Sequence, residues 1–169
     1  MIESYIGIGS NIGDREENIE KAIKKISDRC LVQKKSSLYE TEPIGFKEQN
    51  WFLNNVISIQ TQYTPTELQE FLQYVEKEMG RIENIPNGPR VIDLDLLLYG
   101  NLIFNSEELE IPHPRFHQRK FVLVPLYEIA PDAVHPVLKK KVSELLQELQ
   151  NTRGEEHDKV YLYRKNGNY

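Results

Sequence analysis

Two carboxylates stand two residues apart near the middle of the chain, in the segment GPRVIDLDLLLYG (Gly88–Gly100). Residues i and i+2 of a β-strand point to the same face, so Asp93 and Asp95 would project together, away from the apolar side chains between them. Two such carboxylates repel each other, and a bound cation removes that penalty. Oxygen ligands suit Mg²⁺, which typically binds one or two carboxylates together with waters and phosphates. The alternative is that the pair lines the solvent-exposed face of an amphipathic strand.

Basic residues flank this acidic pair and form a second group further along the chain. Arg90 comes just before the pair and offers a bidentate contact to phosphate. Five basic side chains fall within the segment Ile111–Leu126: His113, Arg115, His117, Arg119 and Lys120. Pro114 argues against a helix there, and therefore against a zinc site made by the two histidines. A basic loop beside a metal site would suit a triphosphate, although a solvated basic loop is the plainer alternative.

A third segment, Tyr39–Val56, combines aromatic and amide side chains. Phe52 and Asn54 would lie on the same face of the strand that follows it. The ring offers a π-surface and the amide offers both donors and acceptors, which together suit a flat heterocycle with hydrogen-bonding edges. The alternative is that Trp51 or Phe52 simply fills the core.

The familiar phosphate-binding motifs are missing from the sequence. The glycine-rich segment Gly7–Asp14 has the pattern G-x-G-x-x-x-G, which differs from the dinucleotide fingerprint, and is more typical of a tight turn between a strand and a helix. No P-loop motif occurs in the chain. An acidic pair, an adjacent arginine, a basic loop and an aromatic-amide face therefore predict magnesium-dependent phosphoryl-type transfer to a small planar acceptor.

Strands and helices alternate along the chain in the order β-α-β-β-α-β. The predicted strands are Ile2–Gly9, Leu31–Tyr39, Phe52–Tyr63 and Val91–Tyr99, the last with a short partner at Leu102–Phe104. The predicted helices are Arg15–Arg29, a helix opened by a Thr64–Glu67 capping box and ended by Gly80, Phe121–Ile129 and Val142–Gln150. A terminal strand is predicted at Val160–Tyr163. This order favours an α+β fold or a split-βαβ sandwich.

Length and composition limit the class of protein. The 169 residues suit one domain over 1–169, with 151–169 as a polar C-terminal extension. A net charge of −5 argues against a nucleic-acid partner, and no apolar run approaches the roughly 20 residues of a membrane span. The single cysteine, Cys30, cannot form an internal disulfide, which suits a reducing compartment. We expect a cytoplasmic protein without a signal peptide.

Taken together, the motifs resemble the 6-hydroxymethyl-7,8-dihydropterin pyrophosphokinase family of folate biosynthesis. The resemblance covers residues 2 to about 135 and is carried by YIGIGSNIGD, YETEPIG, FLNNV, GPRVIDLDLLLYG and IPHPRFHQRKFVLVPL. It implies a ferredoxin-like α/β/α sandwich with a mainly antiparallel central sheet. It also implies that the pterin hydroxyl attacks the β-phosphorus of ATP, which yields AMP and the pterin diphosphate.

The resemblance assigns roles residue by residue. The catalytic residues would be Arg81, Arg90, Asp93 and Asp95, with two Mg²⁺ ions on the two aspartates. The pterin-binding residues would be Thr41, Pro43, Ile44, Phe52, Asn54 and Phe121. The ATP-binding residues would be Gln73, Glu76, Arg90, His113 and Arg119. The implied partners are the two small substrates alone. Separately, we expect a monomer.

One loop departs from the family pattern. Residues 82–88 carry no lysine or arginine, whereas close relatives have basic residues there and often a tryptophan. This departure bears on rate and ATP affinity more than on reaction type. Two other functions compete with the pyrophosphokinase. One is a pterin- or nucleotide-binding module with weakened catalysis, and the other is a conventional kinase that would leave ADP.

Overall fold

The computed structural model describes residues 1–82, 86–153 and 159–165, and within them the strands form one large sheet and one small one. The strands are β1 (Ile2–Ser10), β2 (Leu31–Lys35), β3 (Tyr39–Thr41), β4 (Phe52–Thr61), β5 (Asp93–Tyr99), β6 (Phe104–Asn105), β7 (Glu110–Ile111) and β8 (Val160–Leu162). The large sheet has the order β5-β1-β4-β3-β8, and β2 also pairs with β4. Its strand pairs are antiparallel throughout.

Helices cover both faces of this sheet. They are α1 (Arg15–Ser27), α2 (Pro65–Glu78), α3 (Lys120–Ile129) and α4 (Val142–Arg153). On one face, α1 and α2 bury Ile19 and Leu72 against Ile6 of β1. On the other face, α3 and α4 bury Leu123 and Leu145 in a second core. The three layers confirm the predicted α/β/α sandwich.

Side-chain caps fix where the first two helices begin. Asp14 accepts a hydrogen bond from the backbone N–H of Glu17 at the start of α1. Thr64 and Glu67 exchange reciprocal hydrogen bonds with each other's backbone N–H at the start of α2, which confirms the predicted capping box. Glu76 is buried on the face of α2 that packs against the sheet.

The prediction that β5 pairs with the short strand that follows it is wrong. Residues near Leu102–Phe104 were expected to pair with β5, but β6 pairs with β7 instead. The chain turns at Gly100, which has a positive φ of 52°. The N–H of Leu102 closes this turn by donating to the carbonyl of Tyr99. One edge of β5 already pairs with β1, and the N–H of His113 donates to Leu97 O. This contact brings the basic segment beside the acidic strand.

The segment predicted as a polar C-terminal extension contributes an edge strand to the large sheet, because β8 pairs with β3. Across the part of the chain that the structure describes, each helix is too short or too polar to cross a membrane.

Candidate active site

The register of the sheet aligns the predicted site residues on one face. Gly9 of β1 lies opposite Asp93 on one side and opposite Asn54 on the other. Gly7 lies opposite Asp95. Because alternate residues share a face, Asp93, Asp95 and Asn54 all point toward the layer of α3 and α4. A Cβ on Gly9 would lie 2.5 Å from Asn54 Oδ1, so glycine is needed there for the amide to lie over β1.

These residues line a cavity of about 260 Å³. The predicted residues that line it are Thr41, Ile44, Phe52, Asn54, Arg81, Arg90, Asp93, Asp95, His113, Arg119 and Phe121. Three predicted residues, Pro43, Gln73 and Glu76, are not part of this lining. Three further residues line it without having been predicted, namely Glu42, Asn87 and Gly88.

Glu76, which was predicted to face the nucleotide, lies outside the cavity lining and hydrogen-bonds within the protein. Its carboxylate accepts hydrogen bonds from Arg81 and from the backbone N–H of Leu94, the latter at 2.9 Å. Arg81 also donates to Asp93 Oδ1 at 2.9 Å. Burial raises the pKa of Glu76 to about 7, although the Leu94 N–H and Arg81 oppose the shift. Glu76 therefore holds Arg81 against the acidic pair.

The acidic pair is electrostatically costly as it stands. Burial and the charge of Asp95 raise the pKa of Asp93 to about 6, against the opposing effect of Arg81 and Arg90. Burial also raises the pKa of Asp95, and Arg119 and Arg81 lower it. A divalent cation would relieve both desolvation and repulsion.

The donor set of this pair fits Mg²⁺. Among the described residues, no group of three or more His, Cys, Asp or Glu side chains could hold a metal ion. Two carboxylates on one strand face leave the other coordination positions to water and ligand oxygens, which is how Mg²⁺ is usually bound in phosphoryl-transfer sites.

Basic side chains form another wall of the cavity. The backbone of Arg90 is fixed by Asn11, whose Oδ1 accepts from the Arg90 N–H at 2.7 Å and whose N–H donates to Arg90 O at 2.9 Å. Burial and nearby Arg119 lower the pKa of His113 to about 4, so His113 is neutral near pH 7. Its Nδ1 accepts from the N–H of Arg115 at 3.2 Å, which leaves the proton on Nε2. His113 therefore offers one N–H donor without adding charge.

Aromatic and amide groups form the remaining wall. Phe52 comes from β4 and Phe121 from α3, and both line the cavity. Asn54 Nδ2 donates to Thr41 Oγ1 at 2.6 Å, which fixes the orientation of the buried amide. The guanidinium of Arg119 lies 5.7 Å from the centroid of the Phe121 ring, where the aromatic and basic walls meet.

The structure separates other predicted residues from the cavity. Gln73 is exposed on α2, and His117 packs against His135 with ring centroids 5.7 Å apart. The turn-forming pair Asn87-Gly88 was the signal in the sequence that could have drawn attention to Asn87. In the structure Asn87 adopts the positive φ, 59°, that such turns need. Glu83, Asn84 and Ile85, in the loop that departs from the family pattern, lie outside the described residues.

Comparison with known proteins identifies the family. The family model described as 7,8-dihydro-6-hydroxymethylpterin-pyrophosphokinase (HPPK) matches residues 5–131. The chain belongs to the HPPK family. The 2-amino-4-hydroxy-6-hydroxymethyldihydropteridine pyrophosphokinase of Aquifex aeolicus is 41% identical, over 88% of this chain and 92% of that protein. The Bacillus subtilis protein of the same name is 44% identical, over 75% of this chain and 77% of its own length.

Longer proteins also match. The folic acid synthesis protein of Pneumocystis carinii is 51% identical over 79% of this chain, which spans only 18% of that protein. A solved HPPK-DHPS chain in complex with substrates has a TM-score of 0.73 at 14% identity, covering 92% of this chain and 45% of that chain. Wild-type HPPK-DHPS of Plasmodium falciparum with pteroate also gives 0.73, at 15% identity, covering 92% of this chain and 43% of that chain. These structures support the fold.

Proposed function

We propose that this chain transfers diphosphate from ATP to 6-hydroxymethyl-7,8-dihydropterin in folate biosynthesis. The observation that carries the proposal is one cavity lined together by the Asp93–Asp95 pair, by the basic side chains and by the aromatic and amide side chains. The hydroxymethyl oxygen attacks the β-phosphorus of ATP. The bond from that phosphorus to the α,β-bridging oxygen breaks, AMP leaves with this oxygen, and the hydroxyl proton is released.

The phosphate groups would bind at the basic wall. Arg90 and Arg119 supply forked donors that match phosphate oxygens, and Arg81 extends this wall to Asp93. Neutral His113 would donate from Nε2 to a phosphate oxygen. Asn11 fixes the backbone of Arg90, and so the point from which that side chain would reach the triphosphate.

Asp93 and Asp95 would hold Mg²⁺, and we propose two ions. When bound, they would neutralise phosphate charge and lower the pKa of the attacking hydroxyl. Arg81, anchored by buried Glu76, keeps Asp93 in place.

The dihydropterin would bind at the aromatic-amide wall. Phe52 and Phe121 offer ring faces for stacking, and Asn54, oriented by Thr41, offers a fixed amide to the edge of the heterocycle. Ile44 adds an apolar surface beside them. Contacts from Pro43 to the pterin, and from Gln73 and Glu76 to ATP, stay predictions from the family resemblance.

We further propose that residues 1–169 form one domain that acts as a monomer in the cytoplasm on small molecules alone. Cys30 is buried as a free thiol, which suits a reducing compartment.

Replacing one metal-binding carboxylate tests the proposal. Asp95→Asn should lower the rate of AMP formation by at least about a hundredfold, because an active-site group that stabilises developing charge is typically worth that much. Asp132→Asn is the matched control, since Asp132 is an exposed aspartate paired with Lys141. Both variants should keep the wild-type circular dichroism spectrum. An Asp95→Asn variant with a near-wild-type rate would exclude the metal role. A wild-type protein that binds both substrates without forming AMP would favour the weakened binding module.

A further inference from the structure

Strand β8 lies beyond the part of the chain that the family model matches, yet it borders the dihydropterin side of the cavity. The family match ends at residue 131, and β8 spans Val160–Leu162. In the sheet, Val160 lies opposite Thr41 of β3. Thr41 lines the cavity and fixes the amide of Asn54. The C-terminal segment 159–163, called the tail below, therefore pairs with the strand that carries Thr41, the residue that orients the Asn54 amide.

Hydrogen bonds beyond both ends of β8 extend this pairing. The N–H of Glu42 donates to Lys159 O at 3.0 Å, and the N–H of Tyr163 donates to Leu38 O at 2.9 Å. A three-residue strand such as β3 would expose one row of backbone groups to water if it stood at the edge of the sheet. The tail covers that edge from residue 38 to residue 42, which includes two cavity-lining residues.

A stacked ring pair links β8 to the other aromatic strand of the site. The rings of Tyr161 and Trp51 are nearly parallel, with 5° between their planes and 6.1 Å between their centroids. Trp51 directly precedes Phe52, whose ring lines the cavity. The stack therefore connects the tail to the start of β4, next to the side chain proposed to stack on the pterin.

Arg15 joins the same two strands to the tail. Its guanidinium donates to Trp51 O at 2.9 Å and to the Glu40 carboxylate at 3.2 Å. It also lies 6.0 Å from the centroid of the Tyr163 ring, within reach of a cation–π interaction. The start of α1 thus holds β3, the start of β4 and the tail together on the pterin side.

We propose that β8 is a positioning element for the dihydropterin half of the site, with Tyr161 acting through Trp51 and β3. This inference rests on the function proposed above. The acidic pair and the arginines of the phosphate wall lie on β5 and on loops that do not pair with β8. Removing the Tyr161 ring should therefore weaken dihydropterin binding while leaving ATP binding unchanged.

The test uses the full-length protein and isothermal titration calorimetry. One titration adds 6-hydroxymethyl-7,8-dihydropterin to protein saturated with Mg²⁺ and a non-hydrolysable ATP analogue, and the other adds the analogue alone. Tyr161→Ala should weaken dihydropterin binding about threefold to tenfold, the range expected for one aromatic pair. Tyr161→Phe keeps the ring and should restore wild-type binding. The matched control is Tyr127→Ala, because Tyr127 is 47% exposed and Tyr161 is 46% exposed.

The outcomes separate this inference from the proposed function. Tyr161→Leu, which keeps apolar bulk without a planar ring, replaces the alanine variant if that variant unfolds in a urea titration. Equal losses for both ligands, or unchanged dihydropterin binding in the alanine and leucine variants, would overturn the positioning role alone. Failure of the wild-type protein to bind the dihydropterin would overturn the proposed function as well.

Discussion

At the scale of single residues, the site depends on charges that burial makes costly. Arg81 donates to both Glu76 and Asp93, so one guanidinium pairs with a buried carboxylate and with a partly exposed one. Asp95 adds a further negative charge beside Asp93 and raises its pKa. A bound cation would compensate the repulsion between these two neighbouring aspartates.

The metal-free protein should lose stability as Asp93 ionises. The folded-state pKa of Asp93 is raised from 3.8 to about 6, so the ionised form is disfavoured in the folded state. The wild type should therefore lose free energy of unfolding, relative to Asp93→Asn, as the pH rises from about 4 to about 6. Added Mg²⁺ should restore part of this loss above about pH 6 and little at lower pH. Urea denaturation at several pH values, with and without Mg²⁺, measures both effects. A wild-type-to-variant difference that stays constant with pH would contradict the shifted pKa.

Phe121 should contribute to dihydropterin binding more than to ATP binding. Phe121→Ala removes a ring face from the cavity and should weaken dihydropterin binding by about tenfold or more, because a stacking partner and buried apolar area are both lost. Calorimetry with each ligand measures the two affinities. Phe71→Ala is the control, since Phe71 lies on α2 and packs against the other core. Equal losses for both ligands in Phe121→Ala would contradict the stacking role.

At the scale of elements, the site depends on the close approach of side chains from neighbouring strands of the sheet. The row Asp93–Gly9–Asn54 crosses three strands, and the glycine lets the amide lie over the central one. The same strand carries a second glycine, Gly7, opposite Asp95. These two glycines provide a matched pair for testing the role of β1.

Gly9→Ala should impair dihydropterin binding, whereas Gly7→Ala should be tolerated. The new Cβ at residue 9 would lie 2.5 Å from Asn54 Oδ1 and would displace the amide from Thr41. The new Cβ at residue 7 would lie 3.6 Å from Leu97, which is ordinary contact. We expect about tenfold weaker dihydropterin binding or more for Gly9→Ala, given the usual cost of overpacking. Wild-type binding by Gly9→Ala in calorimetry would show that the amide orientation is unimportant.

At the scale of the whole molecule, local patterns predicted the elements better than their partners. The strand predicted over Ile2–Gly9 and the capping box at Thr64 depend on neighbours in the chain, and both are confirmed. The pairing of β6 depends on distant contacts, and that prediction was wrong. The hydrogen-bond partners of Glu76 also depend on distant contacts. Helical spacing places Glu76 on a face of α2, but it does not reveal that Arg81 and the Leu94 N–H lie there.

In the candidate site too, features set by local sequence were predicted and features set by distant contacts were not. Motif order identified the family and most of the cavity lining, because the carboxylates, the arginines and Asn54 lie within short recognisable segments. Glu42 joins the lining through the path of β3, and the pairing of β8 with β3 links segments more than a hundred residues apart. The sequence predicted the terminal strand without indicating its partner.

The most direct test of the account is the identity of the nucleotide product. The purified protein would be incubated with ATP, Mg²⁺ and 6-hydroxymethyl-7,8-dihydropterin, and the products analysed by phosphorus NMR. We predict AMP and a pterin diphosphate in equal amounts, because attack at the β-phosphorus expels AMP. ADP with a pterin monophosphate would show attack at the γ-phosphorus and would contradict the proposed arrangement of the triphosphate.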